Sequence, residues 1–182
     1  MIKTLIGNVG CGFSIHKFFN DLKSQGFSVS KTTLYDYLAY IDDSYLAFAV
    51  PLYSESLRKM HTNLRKIYAV DTGLVKAYTT SSSQNLGHYF ENLIYLDLKR
   101  SGHEVYYYLT NTRREVDFFS KDTQGEWHLY QVSWQMDDPK TLEREMLALH
   151  EAEQELSIKG HIITPESYFS LFLPKLQKKT HV

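Results

Sequence analysis

Residues 115–119, EVDFF, place two carboxylates inside a stretch otherwise apolar enough to be buried. In an extended strand alternate side chains share a face, so Glu115, Asp117 and Phe119 point one way and Val116 and Phe118 the other. A second apolar run, HLYQVSW (128–134), sets Gln131 and Ser133 on one face. A third acid, Glu91, falls within LGHYFENLIYLDLKRSG (86–102), whose spacing predicts a helix. At about 100° per residue Glu91 lines up with Gly87, Ile94, Tyr95 and Leu98, the face that must pack on a sheet. Burying an unpaired carboxylate costs on the order of several kcal/mol, so Glu91 needs a cation, a partner or a proton. Three readings stand: an ion pair with Arg113 or Arg114, a metal site with Asp117, or a rotated helix that leaves Glu91 in solvent. Hard oxygen donors such as Glu91, Asp117 and Gln131 suit magnesium or manganese. Attack on a phosphodiester uses such ions to activate water and neutralise the developing charge.

The elements that must position these residues follow from periodicity. EVYYYL (104–109), REVDFFS (114–120) and WHLYQVSW (127–134) read as strands joined by the turns NTR and KDTQGE. Asp138 followed by Pro139 opens a helix whose Leu142, Met146, Leu149 and Leu156 mark one face. GHIITP supplies a last short strand, and the order is α-β-β-β-α-β, an α/β (α+β) arrangement with helices packed on a sheet. The small polar run TTSSSQN (79–85) reads as a linker between a front module, 1–78, and this back module, 86–182.

In the front module SIHKFFNDLKSQG sets Ile15, Phe18, Phe19 and Leu22 on one helical face, with Ser14 as cap and Gly26 at the exit. Ser30 caps a second helix, KTTLYDYLAYIDD, with Leu34, Leu38, Ile41 and Tyr45 on its inner face. SYLAFAVPLY and KIYAVD then read as paired strands, and the order is that of a winged helix-turn-helix. The hairpin loop SESLRKMHTNLRK carries Arg58, Lys59, Arg65 and Lys66 against one acid, Glu55. These are candidate phosphate contacts, the plain alternative being a solvated loop. Lys31, Thr32 and Thr33 begin the second helix, with Tyr35 on its exposed side, and are the other candidates for DNA. Asp36, Asp42 and Asp43 on the same helix oppose it.

Composition bounds the rest. With 43% hydrophobic and 23% charged residues, the 182-residue chain is of ordinary soluble type. Its net charge of −1 offers no global basic field, so any nucleic-acid binding must come from local patches. The single cysteine, Cys11, excludes an intramolecular disulfide and a cysteine-rich zinc site, and fits a reducing, cytoplasmic location. No apolar run approaches the roughly 20 residues of a membrane span. MIKTLIGNVGCGF is too short and glycine-rich for a signal peptide. Fourteen tyrosines and ten phenylalanines read as an aromatic core, with base-stacking surfaces as the sharper alternative. His88, His103 and His128 have no metal-ligand spacing.

Together, KIYAVDTGL, GHYFENLIYLDLKRSG, VYYYLTNTRREVDFF and YQVSW resemble the C-terminal region of a prokaryotic family of AAA-type ATP-binding proteins. Members of that family have a P-loop ATPase, then a winged-helix segment, then a restriction-endonuclease-like domain of the PD-(D/E)xK superfamily. FSIHKFFNDL and SKTTLYDYLAYIDDSYLAFAVPLYS are similar to the winged-helix segment. The resemblance implies that Glu91, Asp117, Gln131 and Ser133 occupy the nuclease motif positions, with Glu91 and Asp117 as ligands of magnesium or manganese. It also implies two departures. No G-x-x-x-x-G-K-[ST] is present, the nearest stretch being GNVGCG, so an ATPase partner domain would lie outside this chain. Ser133 stands where a nuclease has lysine, and Gln131 where the family commonly has a carboxylate; Arg114 or Lys140 would have to supply the missing charge. The expected function is therefore a DNA- or partner-binding module with a degenerate nuclease-like domain. An active metal-dependent endonuclease and a docking or oligomerisation domain for an ATPase are the alternatives.

Overall fold

The computed structural model describes residues 1–56, 58, 60, 63–78, 86–134 and 139–170. The expected linker, Lys59 and Asp138 lie outside them. The chain divides into two compact units, Met1–Ser82 and Ser83–Val182. It is mixed α and β, with one small sheet in each unit.

The first unit runs α1 (Ile2–Ile6), β1 (Gly12–Phe13), α2 (Ile15–Ser24), α3 (Lys31–Asp43), β2 (Ala47–Val50), β3 (Arg65–Ala69) and α4 (Thr72–Tyr78). Both predicted caps form: Ser14 Oγ accepts from Lys17 N at 3.2 Å and Ser30 Oγ from Thr33 N at 3.0 Å. α2 ends with Gly26 in the left-handed region, where Gly26 N donates to Lys23 O and Phe27 N to Leu22 O. These paired bonds satisfy carbonyls that the helix end leaves open. α3 ends in the same way, but with Tyr45 at φ 58° in the glycine position. Tyr45 was expected on the inner face; this turn throws it outward instead, and it is 69% exposed. Leu34, Leu38 and Ile41 do pack, against Leu5, Ile15, Ala47 and Ile67.

Periodicity did not reveal α1 or β1. β1 adds to the outside of β3, giving the sheet order β1-β3-β2, antiparallel throughout. Lys66 is corrected by this arrangement. It sits on the central strand, paired with Gly12 on one side and Val50 on the other, and is 3% exposed. The VDTGL stretch is a strand exit and helix cap. Asp71 Oδ1 accepts from Gly73 N at 2.7 Å and Leu74 N at 3.1 Å. A Cβ on Gly73 would meet that same oxygen at 2.8 Å.

The second unit runs α5 (Leu86–Arg100), β4 (Glu104–Leu109), β5 (Glu115–Lys121), β6 (Trp127–Val132), α6 (Pro139–Leu156) and β7 (Gly160–Ile163). The sheet order is β4-β5-β6-β7; the first two pairings are antiparallel and β6-β7 is parallel, reached through α6. Gly102, at φ 84°, closes α5 as expected. Tyr95 of α5 lies 6.4 Å from Phe118, whereas Leu149 of α6 presses on Gly160, which is in register with Leu129 and Phe119. Adjacent strand residues face opposite ways, so the two helices cover opposite faces of the sheet.

The turns are held by carboxylates. Asp122 Oδ1 accepts from Gln124 N and Glu126 N, and Oδ2 meets His128 Nε2 at 2.9 Å. The bond to His128 leads these contacts in pushing the Asp122 carboxyl down to about 2. The β4–β5 turn is fastened to α6: Glu151 accepts from Thr110 Oγ1 and Arg114 Nε, and Glu155 from Asn111 N and Tyr108 OH. That docking fixes the rotation of α6. Its buried stripe is Ala148, Leu149 and Ala152, while Met146, expected inside, is 53% exposed.

Two substitutions test this packing. Gly160→Ala would bring a Cβ within 2.7 Å of Cγ of the buried Leu149, and should cost about 1–3 kcal/mol in urea unfolding. Asp71→Ala should cost about 1 kcal/mol through the lost α4 cap, again read by unfolding.

Candidate functional site

The site is built where β5 and β6 separate. Their register runs from Lys121↔Trp127 to Phe118↔Tyr130. At the next pair side chains take over from the ladder. Asp117 Oδ2 accepts from Gln131 Nε2 at 2.8 Å and from the backbone N–H of Val132 at 3.0 Å. Gln131 Oε1 lies 3.4 Å from Asp117 N. Asp117 and Gln131 are both buried, 8% and 6% exposed. The two residues expected to hold or neighbour a metal therefore bond to each other and to the strand. Ser133 follows, 2% exposed, its N–H donating to Ile163 O at 2.9 Å and so extending the β6-β7 pairing.

Glu91 lies in the second turn of α5 and is 8% exposed, so its carboxylate does not face bulk water. Its Oε2 is 3.8 Å from His88 Nδ1. Arg114, offered from the sequence as a partner for Glu91 or as a substitute for the missing lysine, instead pairs with Glu151 at 3.0 Å. Glu115 is exposed. Lys140 is on α6, but its side chain is outside the described residues.

The acid that sequence reasoning missed is Glu145. It is half-buried on α6, takes a hydrogen bond from the Ser133 side chain and feels the Glu91 carboxylate. Among the described residues, its Oε2 is buried without a hydrogen-bond partner. Burial raises its proton affinity, the Ser133 hydroxyl and Arg144 oppose the rise, and Glu91 adds to it. Its position was readable: Glu145 follows Leu142 by three and precedes Leu149 by four, one helical face. Met146 drew attention away from it because Met is the residue ordinarily buried.

These donors were tested for a divalent ion. Among the described residues, no group of three or more His, Cys, Asp or Glu side chains is arranged to hold one. Asp117 Oδ2 is already shared by two N–H donors. A cation at Asp117 Oδ2 would have to compete with both of those donors.

Another polar cluster lies elsewhere in this unit. Asp97, 5% exposed, accepts from Tyr168 OH and lies 3.6 Å from Arg100 Nη1. Burial, then the Asp97 carboxylate, drives the Tyr168 hydroxyl upward. This cluster ties the helical segment 165–170 to α5.

The expected DNA contacts divide by exposure. Lys31, Thr32 and Arg58 are exposed, Thr33 and Arg65 are half-buried, and Lys66 is buried. Of the opposing acids, Asp42 is engaged with Ala49 N at 3.2 Å.

Residues 1–85 match the model of a domain of unknown function, DUF8612, and residues 86–170 match that of another, DUF4143. The chain thus carries both domains. It is also 32% identical over 148 residues to uncharacterized protein MJ1544 of Methanocaldococcus jannaschii, a match covering 80% of this chain and 32% of that protein. The chain spans about a third of the length of that curated relative. No solved structure matches it significantly. Among the described residues no helix is long and apolar enough to cross a membrane.

Glu145 gives a pH prediction. Its proton affinity is raised in the folded state, so its stabilising contribution is full below the ordinary Glu range and is lost as pH rises through the raised value. Glu145→Met removes the ionisable group. Thermal melts should show the variant gaining on wild type as pH rises above the ordinary Glu range of about 4. A gap that stays constant over that rise would show that the carboxyl titrates as if in water.

Proposed function

We propose that the chain is a DNA-contacting module of a longer protein, with a nuclease-like second unit whose acid centre does not hydrolyse phosphodiesters. The observation that carries this reading is the bonding of Asp117 to Gln131 and Val132 N, where a metal-dependent nuclease needs a carboxylate open to an ion. Ser133 reinforces it. At the position of the charge-stabilising lysine stands a neutral hydroxyl, directed to another acid. The α-β-β-β-α-β order of the second unit supports the restriction-endonuclease-like resemblance. The order α1-β1-α2-α3-β2-β3 of the first supports the winged helix-turn-helix reading.

DNA contact falls to Lys31, Thr32 and Arg58, which are exposed, with the half-buried Thr33 and Arg65 as further candidates. The match to a third of a longer relative supports a further domain beyond these two, and the family resemblance makes an AAA-type ATPase the candidate. A docking role is the second reading. It is favoured by the outer face of α3, where Tyr37 and Tyr40 are 49% and 65% exposed.

Electrophoretic mobility shifts on duplex DNA should show binding that weakens as salt rises, because phosphate contacts release counterions. Supercoiled plasmid with magnesium or manganese should stay intact. Metal-dependent nicking that disappears in Asp117→Asn would overturn the non-hydrolytic reading. A stable oligomer or ATPase complex without any DNA shift would favour docking instead.

A further inference from the structure

His16 is the second residue of α2, and its ring reaches the head of α3. Its Nε2 lies 2.8 Å from the Lys31 ammonium. The same ammonium sits 5.2 Å from the centroid of the Phe19 ring. On the other side of the imidazole, Nδ1 lies 3.4 Å from the Asn20 side-chain amide. An ammonium can only donate, so Nε2 must be the acceptor and the imidazole is neutral, with its proton on Nδ1. That proton then needs an acceptor, and the Asn20 amide provides one when its oxygen and nitrogen exchange places.

We infer that His16 is a positioning residue, holding the Lys31 ammonium over Phe19 in a geometry suited to a DNA phosphate. This rests on the DNA-contacting reading above and names a residue through which that contact is tuned. The argument is one of freedom lost. Lysine is a long, rotamer-rich side chain, and an unrestrained one must be ordered when it meets its partner. Lys31 is exposed yet already held from two sides by α2. The ammonium has three donors, and His16 takes one, leaving two for phosphate oxygens. His16 is exposed as well, so its replacement leaves the core of the unit intact.

The experiment is a double-mutant cycle with duplex DNA of about 30 base pairs, measuring affinity against salt. Wild type, Lys31→Ala, His16→Ala, the double variant and His16→Gln are compared, with thermal melts as the folding control. Lys31→Ala should lower the salt slope by about 0.9, the value of one phosphate contact. His16→Ala should weaken binding about threefold with the slope unchanged, because the cation remains but is no longer held. The double variant should bind like Lys31→Ala, and His16→Gln, whose Oε1 can still accept, should recover most of the loss. Additive losses, a lower slope in His16→Ala, no effect of either substitution, or no recovery in His16→Gln would each overturn the inference while leaving DNA binding in place. Wild-type protein that shows no salt-sensitive shift would remove the DNA reading, and this one with it.

Discussion

The second unit depends on a carboxylate that acts as part of a backbone. Strands β5 and β6 pair normally as far as Phe118 and Tyr130, and then Asp117 accepts the N–H of Val132 through its side chain. A buried N–H left without a partner would be costly, so some acceptor is obligatory there. Asp117 provides it from its side chain, where the regular antiparallel ladder ends. Glu91 from α5 and Glu145 from α6 lie within electrostatic reach of each other. Gln131 completes the arrangement by donating to the second use of the same oxygen.

This also explains the odd composition of the acid centre. A chain that used Asp117 for an ion would have to satisfy Val132 N in another way. Beside Asp117, Gln131 supplies a donor rather than a competing charge. The Ser133 hydroxyl that donates to Glu145 is neutral, and Glu145's higher proton affinity moderates the remaining negative charge. Arg144 beside Glu145 and His88 near Glu91 are groups able to offset charge.

What the sequence made legible was mostly local. Ser14, Ser30, Gly26 and Gly102 do what their chemistry requires within four residues of themselves, and the strand and helix order of the second unit from α5 to β7 followed. The aromatic content was legible only in part: Tyr68, Tyr95, Phe118 and Phe119 are core residues, but Tyr37, Tyr40 and Tyr45 are exposed. What failed depended on distant partners. Lys66 lies in a basic run but is buried because β1, unrecognised from its sequence, pairs on the far side of its strand. The rotation of α6 is set by Glu151 and Glu155 reaching a turn some forty residues away, so the periodicity of α6 alone favoured Met146 over Glu145. Tyr45 was misplaced because a left-handed residue at a helix end is ordinarily glycine.

The two borders of the second sheet carry a further consequence. β7 is only four residues long, and β4 begins with an exposed glutamate and shifts register between Tyr106 and Tyr108. A strand arriving from another molecule needs a long, flat row of unpaired backbone groups, and neither border offers one. A sheet so rich in tyrosine, phenylalanine and valine has the makings of an aggregating surface. Its short and kinked margins give it a built-in resistance to growing sideways into fibrous assemblies.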